Sequence, residues 1–192
     1  MTKYILAGGA DLRFDDFGLQ LAEEVYRTVQ RPAKILSCFF STPSDYWGLN
    51  VETWQPWFKK YFGEDIMWMH ALPDTFPDQI RAADVVYLHG GDNDLMLAML
   101  GRYPQLPVLW KDKVVIGSSA GVNYLSRYFW RRRQQKITEG SGILPLSVMT
   151  HYESDDPEVP HTNWAKVEEN LVALTGENPL RLREGHLWVV ET

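Results

Sequence analysis

The sequence predicts an α/β fold with a mostly parallel sheet, on three observations. Short apolar runs recur at Tyr4–Ala7, Ile35–Phe40, Val85–Leu88 and Val114–Ile116, the last of them wholly β-branched, and such continuous hydrophobicity suits strands buried on both faces. Between them lie stretches with apolar residues three or four apart, so strand, helix and strand alternate as in βαβ units with right-handed crossovers. Glycines close several runs, at Gly8-Gly9, Gly90-Gly91 and around Ser119, at the carboxyl ends of strands where ligands bind in open α/β sheets.

In chain order, Tyr4–Ala7 is the first buried strand. Phe17, Leu21, Val25 and Val29 then mark a helix over 15–29 that Pro32 closes. A second strand follows over 34–40. Trp54, Trp57, Phe58 and Tyr61 fall on one face of a helix over 51–62, which reads as core packing; rings stacked on bases would need a Lys/Arg-rich groove beside them. Ile66–Met69 reads as a short strand and 77–82 as a short helix, with Pro77 near its first turn. After the strand at 85–88, Leu95, Met96, Met99 and Leu100 give another helical stripe. Past the Ser119 turn, 122–130 reads as a helix ending in Arg131-Arg132-Arg133, and 137–144 as a loop or irregular hairpin. The arginine run has two readings: a solvated basic helix end, or a holder of a substrate carboxylate. Leu146–Thr150 is a further strand and 163–174 a helix. The end of the chain, 180–182 and 187–190, reads as a closing hairpin around Glu184-Gly185.

The chain's 192 residues fit one domain, 1–192, with no linker. Hydrophobic residues at 45% and charged ones at 23% set aside disordered and fibrous classes. A formal charge of -6 argues against nucleic acid and against anionic lipid as partners. Cys38 stands alone, so no intrachain disulfide or thiolate metal cluster forms, which favours a reducing compartment. The opening apolar run is too short for a signal peptide, and no stretch reaches the roughly 18 apolar residues of a membrane span. A soluble cytoplasmic protein, monomeric or homodimeric, is the expectation.

The stretch that carries chemistry is Val114-Val115-Ile116-Gly117-Ser118-Ser119-Ala120-Gly121-Val122-Asn123. A Gly-x-Ser-x-Gly turn between a buried strand and a helix lifts the serine hydroxyl above the sheet as a nucleophile elbow. The plain alternative is a turn that only connects strand to helix. A serine needs an imidazole to take its proton. Of the five histidines, His151 is the first candidate, since it ends a strand after the elbow and precedes a polar loop. His89, beside Gly90-Gly91, comes second.

Gly90-Gly91-Asp92-Asn93, Gly117 to Asn123 and Thr150-His151-Tyr152, in this order and at these separations, resemble the serine peptidases of the dipeptidase E and cyanophycinase family. The resemblance runs from Met1 to Glu184-Gly185 and implies a three-layer, doubly wound fold of the class I glutamine amidotransferase type. It implies Ser119 as nucleophile, His151 as general base, the backbone N–H groups of Gly91 and Ala120 as oxyanion hole, and neither metal nor cofactor. The family's acidic residue after the elbow helix falls at Gln134-Gln135 here, with Gln135 near its position. Either Glu139 takes the orienting role, or a neutral amide such as Gln135 holds His151, or the site is impaired. The function so implied is a serine exopeptidase or dipeptidase acting on small peptides, aspartyl dipeptides among them. The alternatives are a catalytically impaired small-ligand or peptide-binding protein on the same fold, and an acyl hydrolase or esterase.

Overall fold

The computed structural model describes residues 1–64, 66–157 and 159–192. Its strands are β1 (Lys3–Ala7), β2 (Lys34–Cys38), β3 (Met67–His70), β4 (Val85–Leu88), β5 (Val114–Ser118), β6 (Tyr128–Arg131), β7 (Lys136–Glu139), β8 (Ser147–Thr150), β9 (Leu180–Leu182) and β10 (Leu187–Glu191). The helices are α1 (Asp15–Tyr26), α2 (Trp47–Phe62), α3 (Phe76–Ala82), α4 (Asn93–Leu100), α5 (Leu106–Leu109), α6 (Ala120–Leu125) and α7 (Trp164–Thr175). None is long and apolar enough to cross a membrane among the described residues.

The larger sheet runs β10-β1-β5-β4-β2-β3. Its pairings are parallel except that of β10 with β1, which is antiparallel. Side chains alternate across each strand, and the alternation sorts the core into two layers. Ile5, Ala7, Ile35, Val85, Tyr87, Val114 and Ile116 pack with Phe17, Leu21 and Val25 of α1 and Phe58 and Phe62 of α2. Tyr4, Leu6, Leu36, Cys38, Val86, Leu88 and Val115 pack with α3 to α6 on the opposite side. Strands β1, β2, β4 and β5 are thus buried on both faces, as their unbroken hydrophobicity requires, while the edge strands β3 and β10 stay partly exposed; the α/β class with a mostly parallel sheet is as the sequence predicts. The aromatic face of α2 packs inward: Phe58 is fully buried, with Trp54, Trp57 and Tyr61 against the same core.

A second, four-stranded sheet runs β7-β6-β8-β9, and here three sequence expectations fail. The predicted helix over 122–130 stops at Leu125, because Ser126 turns extended and Tyr128-Phe129-Trp130-Arg131 becomes β6 with period-2 burial. Aromatic residues of this kind suit a strand once β7 and β8 are there to pair with it. The arginine run consequently lies at the end of β6 and in the turn toward β7, not at a helix end. That basic helix end is the second expectation to fail, whereas the loop or irregular hairpin read over 137–144 holds in part, since it begins in β7, the second strand of a β6–β7 hairpin, and continues without regular structure from Gly140. The closing hairpin is absent as well: β9 pairs in parallel with β8, whereas β10 crosses to β1 of the larger sheet. Glu184 lies on the connection between the two sheets.

Candidate active site

Strand β5 ends at the centre of the larger sheet, and the turn after it places Ser119 at φ 46°, ψ -104°. A left-handed φ is uncommon for a residue with a Cβ and marks local strain held by its surroundings. The holding bonds are the Ser119 N–H donated to the Ala7 carbonyl at 3.1 Å and the Asn123 N–H donated to the Ser119 carbonyl at 2.9 Å. Gly121 is required by close approach, since a Cβ there would lie 2.2 Å from the Leu88 carbonyl oxygen. The elbow helix can therefore press directly onto β4.

His151 follows β8 in a left-handed conformation, φ 53°, and donates its backbone N–H to the Gly8 carbonyl at 3.0 Å. Its Nε2 lies 2.8 Å from Ser119 Oγ. Gly9 lies beneath the ring at φ +107°, and a Cβ there would fall 2.4 Å from His151 Cε1. On the far side, His151 Nδ1 lies 2.6 Å from Glu184 Oε1. Burial alone would push the Glu184 carboxyl up. Hydrogen bonds from His151 and Ser154, with the charges of His151 and Arg13, outweigh that and hold it below the usual carboxylate range. An ionised Glu184 fixes Nδ1 as the protonated nitrogen and leaves Nε2 free to accept from Ser119.

The acid at His151 is thus Glu184 and not Glu139. Glu139 is exposed at the end of β7, paired across the ladder with Tyr128. Gln135 belongs to the β6–β7 turn, at φ 49°, where its amide donates to the Arg132 carbonyl at 2.6 Å. His89 is buried among aromatic rings rather than placed at Ser119.

Before α4, the loop Gly90-Gly91 passes beside the elbow, with Gly90 close enough that a Cβ on it would sit 3.2 Å from Ser119 Cβ. The Ser41 hydroxyl has one proton to share between the carbonyls of His89 at 3.0 Å and Gly90 at 2.7 Å, the shorter contact being to Gly90. In a planar trans peptide the N–H points opposite to the carbonyl, so the Gly91 N–H is directed away from Ser41. The Ala120 N–H belongs to the first turn of α6, where no intrahelical acceptor exists. Asp92 caps α4 by accepting from the N–H groups of Asp94 and Leu95 at 2.7 and 3.0 Å.

Ser119 and His151 open onto a crevice of about 670 Å³, within the size range of small-molecule sites. Asp11, Trp54 and His89 line it together with Arg132, Arg133 and Gln134. Arg131 makes a bidentate pair with Asp94 at 2.9 and 2.7 Å, tying β6 to α4. Arg132 donates to the Ser154 carbonyl at 3.2 Å. The run is therefore not one solvated face: one arginine braces the fold, and the next two border the crevice.

The family model for peptidase family S51 matches residues 59–190, more than half of the chain. The chain belongs to peptidase family S51. Two solved structures share the fold. A peptidase from an acI-B1 actinobacterium superposes with a TM-score of 0.65 at 17% identity, over 100% of this chain and 84% of that one. A peptidase E-type protein from Listeria monocytogenes EGD-e gives 0.63 at 14% identity, over 100% of this chain and 99% of that one. No curated protein sequence matches it. The S51 match spans the elbow, His151 and Glu184, so all three residues in contact at the crevice fall inside it.

Two residues of the site escape the sequence reading. Glu184 is hidden because 180–190 looks like a hairpin, which would put Glu184-Gly185 at a remote tip. Asp11 opens a single 3-10 turn, Asp11–Arg13, after β1, too short to leave a periodic signal; the nearby glycine pair Gly8-Gly9 is the available hint.

Proposed function

We propose that this S51 peptidase is a serine exopeptidase of the dipeptidase type, acting through a Ser119–His151–Glu184 triad. The observation that carries the reading is the continuous contact from Ser119 Oγ through the imidazole to the Glu184 carboxylate, at 2.8 and 2.6 Å. Ser119 Oγ attacks the scissile carbonyl carbon while His151 Nε2 takes its proton, and Glu184 stabilises the imidazolium that forms. The carbonyl oxygen becomes an oxyanion that accepts from the N–H groups of Gly91 and Ala120. His151 returns the proton to the leaving amine, and water then releases the acyl group from Ser119 by the same steps in reverse roles. The crevice volume suits a dipeptide or the end of a short peptide. Aspartyl dipeptides belong in the substrate set to be tried.

Fluorophosphonate labelling followed by mass spectrometry tests the chemistry. The expected result is an adduct on Ser119 and dipeptide turnover that Ser119→Ala abolishes. Unlabelled Ser119 in folded protein, together with turnover that persists in Ser119→Ala, overturns it.

A further inference from the structure

We propose that Asp11 and His89 form a subsite for a primary ammonium group on the wall of the crevice beside Ser119. The inference rests on reading that crevice as the peptide-binding site.

Asp11 sits in the turn after β1 and is only 5% exposed. One carboxylate oxygen, Oδ2, accepts from the Tyr87 hydroxyl. The Ser118 hydroxyl adjoins the carboxyl, but the other oxygen, Oδ1, is buried with no partner at hydrogen-bond distance among the described residues. Two residues beyond Tyr87, and so directed to the same side of the sheet, His89 is 3% exposed with neither ring nitrogen partnered. Its ring centroid lies 4.1 Å from that of Tyr87, 4.3 Å from Trp54 and 4.5 Å from Phe39. Both residues line the same crevice as Ser119.

Buried polar atoms are ordinarily satisfied, and leaving one unpaired costs on the order of 1–3 kcal/mol. Unpartnered atoms on two side chains that each touch Tyr87 and line one cavity therefore point to a ligand that completes them. Burial pushes the His89 imidazole well below its ordinary value, so the ring stays neutral and keeps one nitrogen as an acceptor. Asp11 supplies a second acceptor and a negative charge, and the surrounding indole and phenyl faces favour a cation over an anion. An ammonium has three donors and no acceptor, which matches this set. A carboxylate would instead meet Asp11. Burial raises the Asp11 carboxyl, with the hydroxyls of Ser118 and Tyr87 and the charge of His151 opposing; an arriving ammonium stabilises its ionised form. The ammonium has two sources, the α-amino group of a peptide or a lysyl side chain.

Binding to the Ser119→Ala protein, measured by calorimetry, separates these without turnover. The ligands are Ala-Ala, its isostere lactoyl-Ala, N-acetyl-Lys-Ala and N-acetyl-Leu-Ala. Ala-Ala binding at least roughly tenfold tighter than lactoyl-Ala, a preference that falls to near one when Asp11→Asn is added, assigns the α-ammonium. The same pattern for the lysyl over the leucyl peptide assigns the side chain. His89→Phe, which keeps the ring packing and removes both nitrogens, should weaken the same preference and serves if Asp11→Asn does not fold. Equal binding of charged and uncharged partners, a preference that survives both substitutions, or no binding of any of the four overturns the subsite. Labelling of Ser119 in the wild-type protein is read separately, so loss of the subsite and loss of the peptidase reading give different results.

Discussion

The Glu184 carboxylate contacts His151 Nδ1 at 2.6 Å although 33 positions separate the two residues in the chain. The contact exists because β9 and β10 belong to different sheets, so the link between them passes over the end of β8.

That contact predicts which acid matters. Glu184→Gln should lower kcat by a factor on the order of 10³–10⁴, the scale seen when the serine-protease triad loses its carboxylate. Glu139→Gln should leave kcat within twofold, a difference on the order of 0.4 kcal/mol in barrier. Steady-state kinetics on one dipeptide, run for both variants, checks the pair.

Gly9→Ala should displace the imidazole. The added methyl meets His151 Cε1 at 2.4 Å, and the backbone there has φ +107°. Both effects act at the same place, so kcat should fall more than tenfold and thermal stability should drop by about 1–2 kcal/mol. Kinetics alongside calorimetric unfolding gives both numbers.

Ser41→Ala tests the orientation of the Gly90-Gly91 peptide. Ser41 touches no substrate atom in this proposal and acts as a positioning residue. Its loss should lower kcat by less than the 10²–10³ that accompanies removal of an oxyanion donor, with KM nearly unchanged. An equal change in kcat and KM would place its effect elsewhere.

Stability should depend on pH in opposite ways at the two carboxylates. Glu184 is held below its ordinary value. Its pairing therefore adds stability that is complete above the unfolded value of roughly 4.3 and is lost as pH falls through the lower folded one. Asp11 is raised, so ionising it in the fold costs stability, and the cost grows as pH rises above roughly 3.9 through the folded value. Asp11→Asn should accordingly raise Tm at neutral pH and leave it unchanged in strong acid. Glu184→Gln should lower Tm at neutral pH, with the difference vanishing in acid. Thermal unfolding from acid to neutral pH checks both signs.

Much of the fold was legible because its signals are local. The twice-buried strands β1, β2, β4 and β5 announce themselves as unbroken apolar runs, and the elbow glycines around Ser119 mark a sharp turn whatever lies around it. Tyr128-Phe129-Trp130-Arg131 reads as helix from the sequence because four residues satisfy a helical and a strand period about equally well, and the neighbouring strands make the choice. Glu184 was passed over for a related reason. Two short strands separated by a Glu-Gly turn resemble a hairpin, and only the partners available in the fold, β8 on one side and β1 on the other, pull them apart. Asp11 and His89 have no pattern in the chain, since their kinship is a shared cavity wall.

The larger sheet supplies Ser119, while His151 and Glu184 follow strands of the smaller one. Each sheet by itself carries an incomplete site. One face of the smaller sheet joins the larger core through Phe129, Val148 and Leu182, while its other face covers only the small cluster of Met149, Val167 and Leu171. Were the smaller sheet to detach, the strained serine would remain on an intact platform without a base, so the competence to react reports whether the two sheets are docked rather than whether the chain is folded.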